Sequence, residues 1–257
     1  MEYRIRLVCF SSVLILAVAI TGSVVTASAL ASRAYTKRME QIHQSQREIT
    51  VKGKATARIV SDWGVWTVWA QSSGATLQEG YATLEETNAA VAAYLLDQGF
   101  TQREIASGPV KTETYYQRDE DGNKTREIEG YSLSRRYTIG SKRLQQMNDA
   151  ASGITALIAK GMEVTSSPPE FTVSTLGNIK IQLLADAAAD ARNRASRVVG
   201  GSGGQLTELK SVRQGVVQIT QPDSTRVSSY GIYDTTTINK DASVVVTVTF
   251  GIEDAKD

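Results

Sequence analysis

The side chains that most often carry enzymatic chemistry are almost absent from this sequence. It contains one histidine, His43, and one cysteine, Cys9, and both precede the first predicted strand. Ser-His-Asp and Cys-His nucleophilic sites, the common zinc sites and CxxC redox pairs all need imidazole or thiol groups. We therefore predict that the chain is not an enzyme and has no catalytic residue, no cofactor and no metal site.

Carboxylates are the remaining candidates for chemistry, because glycoside hydrolysis needs two carboxyl groups at a set separation. Glu85-Glu86 and Asp119-Glu120-Asp121 are paired in sequence, but we interpret both groups as solvated helix or turn surface. Asp62 stands beside two tryptophans and could bind a carbohydrate, yet aspartate is also a common turn residue. The glycines at 200–204 follow a predicted helix, whereas a phosphate loop precedes its helix, so they indicate helix termination.

The N-terminal segment is typical of membrane targeting. No residue between Arg6 and Arg33 is charged, and this run is long enough to cross about 30 Å of hydrocarbon as a helix. We predict that residues 1–32 are a signal-anchor and that residues 7–32 hold the protein in a membrane.

A cleaved signal peptide is the alternative interpretation of this segment. Small residues follow a short apolar core, so cleavage after Ala29 or Ala31 would release a soluble periplasmic protein. We favour the anchor because Val24, Val25 and Leu30 prolong the apolar character. Basic residues flank both ends, so we choose the orientation by analogy with signal-anchors: an inner-membrane anchor with the body in the periplasm of a bacterial cell envelope.

The charge of the part that follows the anchor is balanced. After residue 32 the sequence has equal numbers of basic and acidic residues. A neutral body lacks the basic field that dominates affinity for DNA and RNA, so we exclude nucleic acid as a partner.

Hydrophobic periodicity predicts an α+β body at 47–257 that follows a polar connector at 33–46. The order is ββ-α-ββ-α-β-α-ββ, with a largely antiparallel sheet and helices packed against it. The predicted elements are a hairpin with strands over 49–59 and 65–71, a helix from Thr76 to Gly99, a hairpin with strands over 110–117 and 127–139, a helix capped by Ser141, a strand over 171–176, a helix starting at Asn178, a strand over 205–220 and a last strand over 244–250.

Aromatic residues at two places suggest a subunit interface. The second strand carries Trp63 and Trp69 on one face and Trp66 on the other, so it is either covered on both sides or meets another subunit. The polar loop at 221–241 is long for a plain connection and is either an assembly loop or merely mobile. The predicted oligomer interface is formed by Trp63, Trp66, Trp69, Tyr230 and Tyr233.

Five segments of the body resemble the SIMPL family, also called DUF541 or YggE-like proteins. They are ITVKGKATARIVSDWGVWTV at 49–68, GYSLSRRYTI at 130–139, the alanine-rich helix with its glycine-rich exit at 185–204, LKSVRQGVVQIT at 209–220 and the closing VVVTVTF. The resemblance extends from about residue 47 to 252 and is strongest to members with an N-terminal anchor. One departure is Ser61-Asp62-Trp63-Gly64, where small aliphatic residues are usual.

The resemblance implies a noncatalytic envelope protein linked to oxidative-stress defence, with a tendency to form ring-like homo-oligomers. We therefore expect a membrane-anchored, extracytoplasmic protein that self-assembles and has a structural, scaffold or channel-like role. Two alternatives remain open at this point. One is a carboxylate-based hydrolase of envelope polysaccharide, and the other is an accessory subunit of another membrane complex.

Overall fold

The computed structural model describes residues 32–39 and 47–254 of the chain, and these residues form an α+β protein with antiparallel sheets. The predicted α+β class with antiparallel pairing is confirmed, whereas the predicted single sheet and the order ββ-α-ββ-α-β-α-ββ are wrong, because the described strands form two sheets in the order ββ-α-ββ-αα-ββ-α-βββ. Cys9, His43 and all of the predicted anchor except residue 32 lie outside the described residues, while residues 32–39 are helical. Within the described ranges, no helix combines the length and the apolar character that a membrane crossing requires.

The secondary-structure elements that follow are numbered along the chain. They are β1 (Glu48–Val60), β2 (Trp63–Gly74), α1 (Leu77–Asp97), β3 (Ile105–Arg118), β4 (Lys124–Ser141), α2 (Leu144–Gly153), α3 (Thr155–Ala159), β5 (Glu163–Ser166), β6 (Glu170–Thr172), α4 (Leu176–Gly201), β7 (Gly204–Gln214), β8 (Gln218–Thr220) and β9 (Asn239–Asp254).

The strands form two sheets in the described chain. The β1 sheet has the order β1-β9-β7 with β8 beside β9, and the β2 sheet has the order β3-β4-β2-β5 with β6 beside β2. The predicted hairpin of β1 with β2 is therefore wrong. The β2 strand pairs with β4 from Gly64 opposite Ser141 to Gly74 opposite Tyr131. A short link between strands can form a hairpin or can pass from one sheet to another, and periodicity alone does not distinguish them.

The inner face of the β2 sheet is packed against helices. Trp66, Val68 and Ala70 alternate along β2 with outward side chains, and all three have no exposed surface. They share one core cluster with apolar residues of α1, α2 and α3. The helical members of this cluster are Leu84, Val91, Leu95, Leu144, Met147, Ala150 and Leu157.

The ends of α1 agree with the prediction. Thr76 is its N-cap and forms a capping box with Glu79, which satisfies two backbone N–H groups at the start of the helix. Gly99 follows the helix with φ of +82°, a conformation that favours glycine.

Ser141 does not cap the second helix, because α2 begins at Leu144 with Arg143 as N-cap and no side-chain cap. The Ser141 hydroxyl instead accepts a hydrogen bond from Arg143 N at 3.1 Å and donates to Glu104 Oε1 at 2.6 Å. The hydroxyl that was predicted to start a helix therefore belongs to a network around Glu104.

Other elements also differ from the prediction. The strand predicted over 171–176 is β6, which ends at Thr172. The helix predicted from Asn178 begins at Leu176, and β5 was not predicted. The predicted strand over 205–220 is divided into β7 and β8. Gly215 lies at this break and donates its N–H to Val245 O at 2.9 Å, and a Cβ atom at Gly215 would be 2.5 Å from that oxygen. The close approach of two backbones requires glycine here.

The described chain divides into two compact units. One contains residues 32–39, 47–53, 191–213 and 247–254, and the other contains residues 54–190 and 214–246. The second unit holds the whole β2 sheet. The prediction of a single domain over 47–257 stays a prediction.

Glu104 joins the segment after α1 to the start of α2. Its carboxylate accepts hydrogen bonds from the Ser141 hydroxyl and from the backbone and hydroxyl of Thr101, and it pairs with Arg143. Burial raises the pKa of Glu104, but these hydrogen bonds and the Arg143 charge outweigh it and lower the pKa to about 2.

We expect Glu104→Gln to lower the free energy of unfolding by about 2 kcal/mol at pH 7. A lowered carboxyl pKa stabilises the fold above the unfolded value near 4.5 and loses this effect as the pH falls towards 2. The deficit of the variant should therefore shrink between pH 5 and about 2 in urea unfolding. Glu120→Gln, in an exposed turn, is the control. A deficit that does not depend on pH would contradict this role.

Candidate functional site

The three tryptophans of β2 are separated by the alternation of the strand. Trp66 is fully buried, and its indole N–H donates to Ser166 Oγ at 2.9 Å. A side chain with no exposed surface cannot contact a second copy, so we remove Trp66 from the predicted interface. Trp63 is 40% exposed and Trp69 is half-buried, and both lie on the opposite side of the strand, the outer face of the β2 sheet.

Trp63 is seated on the outer face by a glycine of the neighbouring strand. A Cβ atom at Gly140 would be 2.8 Å from Cζ2 of Trp63, so the ring occupies the space that a larger residue would fill. The interface prediction for Trp63 and Trp69 stays a prediction.

The two predicted tyrosines lie in the segment between β8 and β9, residues 221–238, which we name the β8–β9 loop. Tyr230 is 95% exposed and Val227 is 80% exposed, and they form the tip of the loop. Tyr233 is 44% exposed, and its hydroxyl accepts a hydrogen bond from Val173 N at 3.5 Å. The most exposed aromatic side chain in the described chain is therefore one of the predicted interface residues.

The tip is held in a turn by a side chain of β8. Gly231, with φ of +89°, donates its N–H to Ser228 O at 3.2 Å. The Gln218 amide donates to Ser228 O at 2.8 Å and accepts from Ser228 N at 3.3 Å. Because one side chain satisfies both backbone groups of Ser228, the turn that carries Tyr230 has a defined position.

A buried ion pair holds the end of the loop. The Lys240 side chain has no exposed surface, and Nζ lies 3.3 Å from Asp234 Oδ2, whose side chain is 9% exposed. Nζ also donates to the carbonyl of Thr237. Asp234 further accepts hydrogen bonds from the backbone N–H and the hydroxyl of both Thr236 and Thr237. We name Asp234 and Lys240 the loop clamp.

The surroundings of the loop clamp keep its carboxylate ionised. Burial raises the pKa of Asp234, but the hydrogen bonds from Thr237 and Thr236 and the Lys240 charge together lower it to about 2. Burial lowers the pKa of Lys240, and the charge of Asp234 opposes that change. The Asp234 carboxylate is the better-solvated partner, in the sense that four hydrogen-bond donors of Thr236 and Thr237 contact it in addition to the Lys240 ammonium group.

The start of the loop is tied to β1 and β9. Asp241 accepts hydrogen bonds from Asp223 N at 2.9 Å and from Arg58 Nε at 3.1 Å, and Arg58 Nη2 also lies 3.0 Å from Asp223 Oδ1. Asp223 has a φ of +60°, so the bonds hold a backbone conformation that non-glycine residues seldom adopt. The β8–β9 loop is thus fastened at its start, its tip and its end, which favours the binding interpretation over a mobile one.

The residues that fasten the loop were not found from the sequence. The sequence did contain one indication of these contacts. Lys240 is an even number of positions away from Ala242, Val244 and Val246 of β9, so it lies on the inward face of the strand with them. A lysine at an inward strand position indicates a buried partner carboxylate. Which carboxylate that is cannot be read from periodicity, and Gln218 gives no comparable signal.

Three of the acidic residues considered for catalysis have structural partners instead. Asp62 accepts hydrogen bonds from the backbone and hydroxyl of Ser174, and Glu85 accepts from Asn88 at 3.0 Å. Asp119 accepts backbone N–H groups of its own turn. Where the chain is described, no three His, Cys, Asp or Glu side chains cluster in a way that could hold a metal ion.

The glycines at 200–204 end a helix, as predicted. The α4 helix runs to Gly201, and Gly203 has a φ of +79°.

The fold and these contacts define an α+β protein with a fastened loop that presents an exposed aromatic tip. Residues 49–250 match the SIMPL family, described as a protein of unknown function (DUF541), and the chain belongs to this family. No curated protein matches the sequence. The crystal structure of the regulatory subunit of aspartate kinase from Thermus thermophilus, in its ligand-free form, is 12% identical; the match covers 77% of this chain and 87% of that chain at a TM-score of 0.19. A likeness at this score carries no argument about fold or function.

We expect the two halves of the loop clamp to respond unequally to mutation. Asp234→Ala leaves the Lys240 ammonium group buried without its counter-ion and should lower the free energy of unfolding by about 3–5 kcal/mol. Lys240→Met should cost less than half as much, because Asp234 keeps its donors from Thr236 and Thr237. Urea unfolding at pH 7 measures both, with Asp121→Ala, in an exposed turn, as control. Equal losses would show that the carboxylate is not the better-solvated partner.

Proposed function

We propose that the protein is a noncatalytic, membrane-anchored component of the bacterial cell envelope that self-associates through the tip of the β8–β9 loop. The observation that carries this proposal is the 95% exposure of Tyr230 on a loop fastened by Gln218 and by the loop clamp. Interfaces gain most from aromatic anchors. A side chain that is already held in place loses little conformational freedom on binding, so the fastened loop favours recognition.

The contact is assigned to the loop tip rather than to the tryptophans of the outer face. Val227 and Tyr230 are three residues apart in the β8–β9 loop and are 80% and 95% exposed. Trp63 is already seated over Gly140, and Trp69 is half-buried. Apolar surface that the monomer leaves in water is the surface from which association gains most.

A protruding tip favours a ring-like assembly. If the tip of one copy meets a different surface of the next, the contact is heterologous, and repeated contacts close into a ring when the rotation allows it. Anchors at residues 7–32 would confine all copies to one membrane and raise their effective concentration. The proposed role is structural, as a scaffold or a channel-like ring. A link to oxidative-stress defence is proposed from the family resemblance.

The hydrolase alternative has no supporting observation, because Asp62, Glu85 and Asp119 are used within the fold. The other candidate acids, Glu86, Glu120 and Asp121, are exposed. The accessory-subunit alternative uses the same loop tip with an unrelated protein as its partner. It would appear in the experiment below as a tip-dependent complex that contains a second polypeptide.

We expect the double variant Val227→Ser, Tyr230→Ser to dissociate the assembly. Both side chains are exposed, so the fold should be unchanged while the apolar contact is lost, and the particle mass in mild detergent should fall to that of a monomer. Native mass spectrometry measures the mass. Ile181→Ser, which changes an exposed aliphatic residue of α4, is the matched control. A monomeric wild-type protein, or an assembly that survives in the double variant, would refute the assignment.

The anchor proposal predicts that the N-terminal segment is retained. Protein extracted from membranes should resist alkaline carbonate and should have the intact mass of all 257 residues. A mass that corresponds to cleavage after Ala29 or Ala31, with the protein in the soluble periplasmic fraction, would replace the anchor by a signal peptide.

A further inference from the structure

The outer face of the β2 sheet contains a cleft beside Trp69. Its volume is about 240 Å³, and all of its lining residues belong to the same compact unit. The cleft is lined by Trp69, Gly108, Pro109, Lys111, Ser134 and Arg136.

A β-bulge in the edge strand borders this cleft. Ser107 lies opposite Tyr137 and Val110 lies opposite Arg135, so Gly108 and Pro109 together face the single residue Arg136. Such a bulge bends the strand and changes the direction of neighbouring side chains, and bulges are frequent next to functional sites. Proline is tolerated because β3 is at the edge of the sheet.

The cleft places hydrogen-bond donors beside an indole ring. Arg136 is directly opposite Trp69 in the pairing of β2 with β4, and it is exposed. No other described residue forms an ion pair or a side-chain hydrogen bond with Arg136. Gln71 Oε1 accepts from the Thr165 hydroxyl at 2.8 Å, which directs the Gln71 amide N–H groups elsewhere.

The charges around the cleft give it a polarity. Lys111 is neutralised by Glu113, whose Oε1 lies 2.6 Å from Nζ. Glu163 belongs to β5 and lies opposite Gln71. Arg136 belongs to β4, and β4 and β5 flank β2 on opposite sides, so Glu163 and Arg136 are on opposite sides of Trp69. Arg136 is therefore the cation of the cleft that has no counter-ion among the described residues.

We propose that this cleft binds an acidic sugar, with the ring on Trp69 and the anionic group on Arg136. The C–H face of a sugar ring packs on the apolar face of an indole, and guanidinium binds carboxylate or phosphate through two parallel hydrogen bonds. The Ser134 hydroxyl and the Gln71 amide are opposite each other in the cross-strand pair two residues along from Trp69 and Arg136, and they would supply contacts to sugar hydroxyls. This binding site is separate from the loop tip that is proposed for self-association.

The test is calorimetric titration of the full chain in mild detergent. Tetragalacturonate and glucose 6-phosphate are the carboxylate and phosphate probes, and cellotetraose and glucose are their neutral counterparts. We expect at least one anionic probe to bind about tenfold or more tightly than its neutral counterpart. The two probes distinguish a uronic acid from a sugar phosphate as the source of the charge.

Three substitutions test the assignment to residues. Arg136→Gln and Trp69→Ala should each weaken binding about tenfold. Arg126→Gln removes the same charge from an exposed position ten residues away on β4 and should leave binding unchanged. Because Arg136 is exposed, its variant should fold even if Trp69→Ala does not.

Several results would overturn the proposal. They are the absence of binding by both anionic probes, equal binding of charged and neutral sugars, and equal weakening by Arg136→Gln and Arg126→Gln. The Tyr230→Ser variant separates the two proposals, because it should lose self-association and keep sugar binding. Loss of sugar binding in that variant would show that the cleft beside Trp69 is not a site of the single chain.

Discussion

Ser61 and Asp62 are the constraint on which the arrangement of both sheets depends, because they pass the chain from one sheet to the other. Ser61 N donates to Ile238 O at 2.8 Å, and Asp62 N donates to Thr172 O at 3.0 Å. The Asp62 carboxylate accepts from Ser174 N at 2.8 Å. Two consecutive residues thus bond to two different parts of the chain. The β2 strand is left to pair with β4, which creates both the helix-covered core and the outer face.

The same junction positions the β8–β9 loop. Ile238, which accepts from Ser61, is the last residue of the loop, and Thr235 O accepts from Phe171 N at 2.7 Å. The end of the loop is therefore held on one side by Ser61, which follows β1, and on the other side by β6. The passage of the chain from the β1 sheet to the β2 sheet, which was not predicted from the sequence, therefore also holds the end of the long polar loop in place.

Hydrophobic periodicity predicted those strands and helices that can be recognised from the spacing of neighbouring residues. The alternation in β1 and β9, the helical spacing of α1 and the hairpin predicted over 110–117 and 127–139 all correspond to observed elements. Periodicity gives the inward face of a strand but not its partner, so the pairing of β1 was wrong. In the candidate site, Tyr230 was predicted from the length of its loop and from the aromatic residues in that loop. Gln218 and Asp234 were not predicted, because they act through contacts that form only when the chain is folded.

The loop clamp contributes to specificity more than to stability. Burying two charges costs solvation energy that their attraction only partly offsets, so an apolar pair of similar volume is often as stable. The Lys240 ammonium group, however, is satisfied only when Asp234 and the Thr237 carbonyl occupy one arrangement. An apolar side chain would pack against many loop conformations. A charged one selects the conformation that presents Tyr230, and a constant presentation is what the proposed contact between identical copies requires.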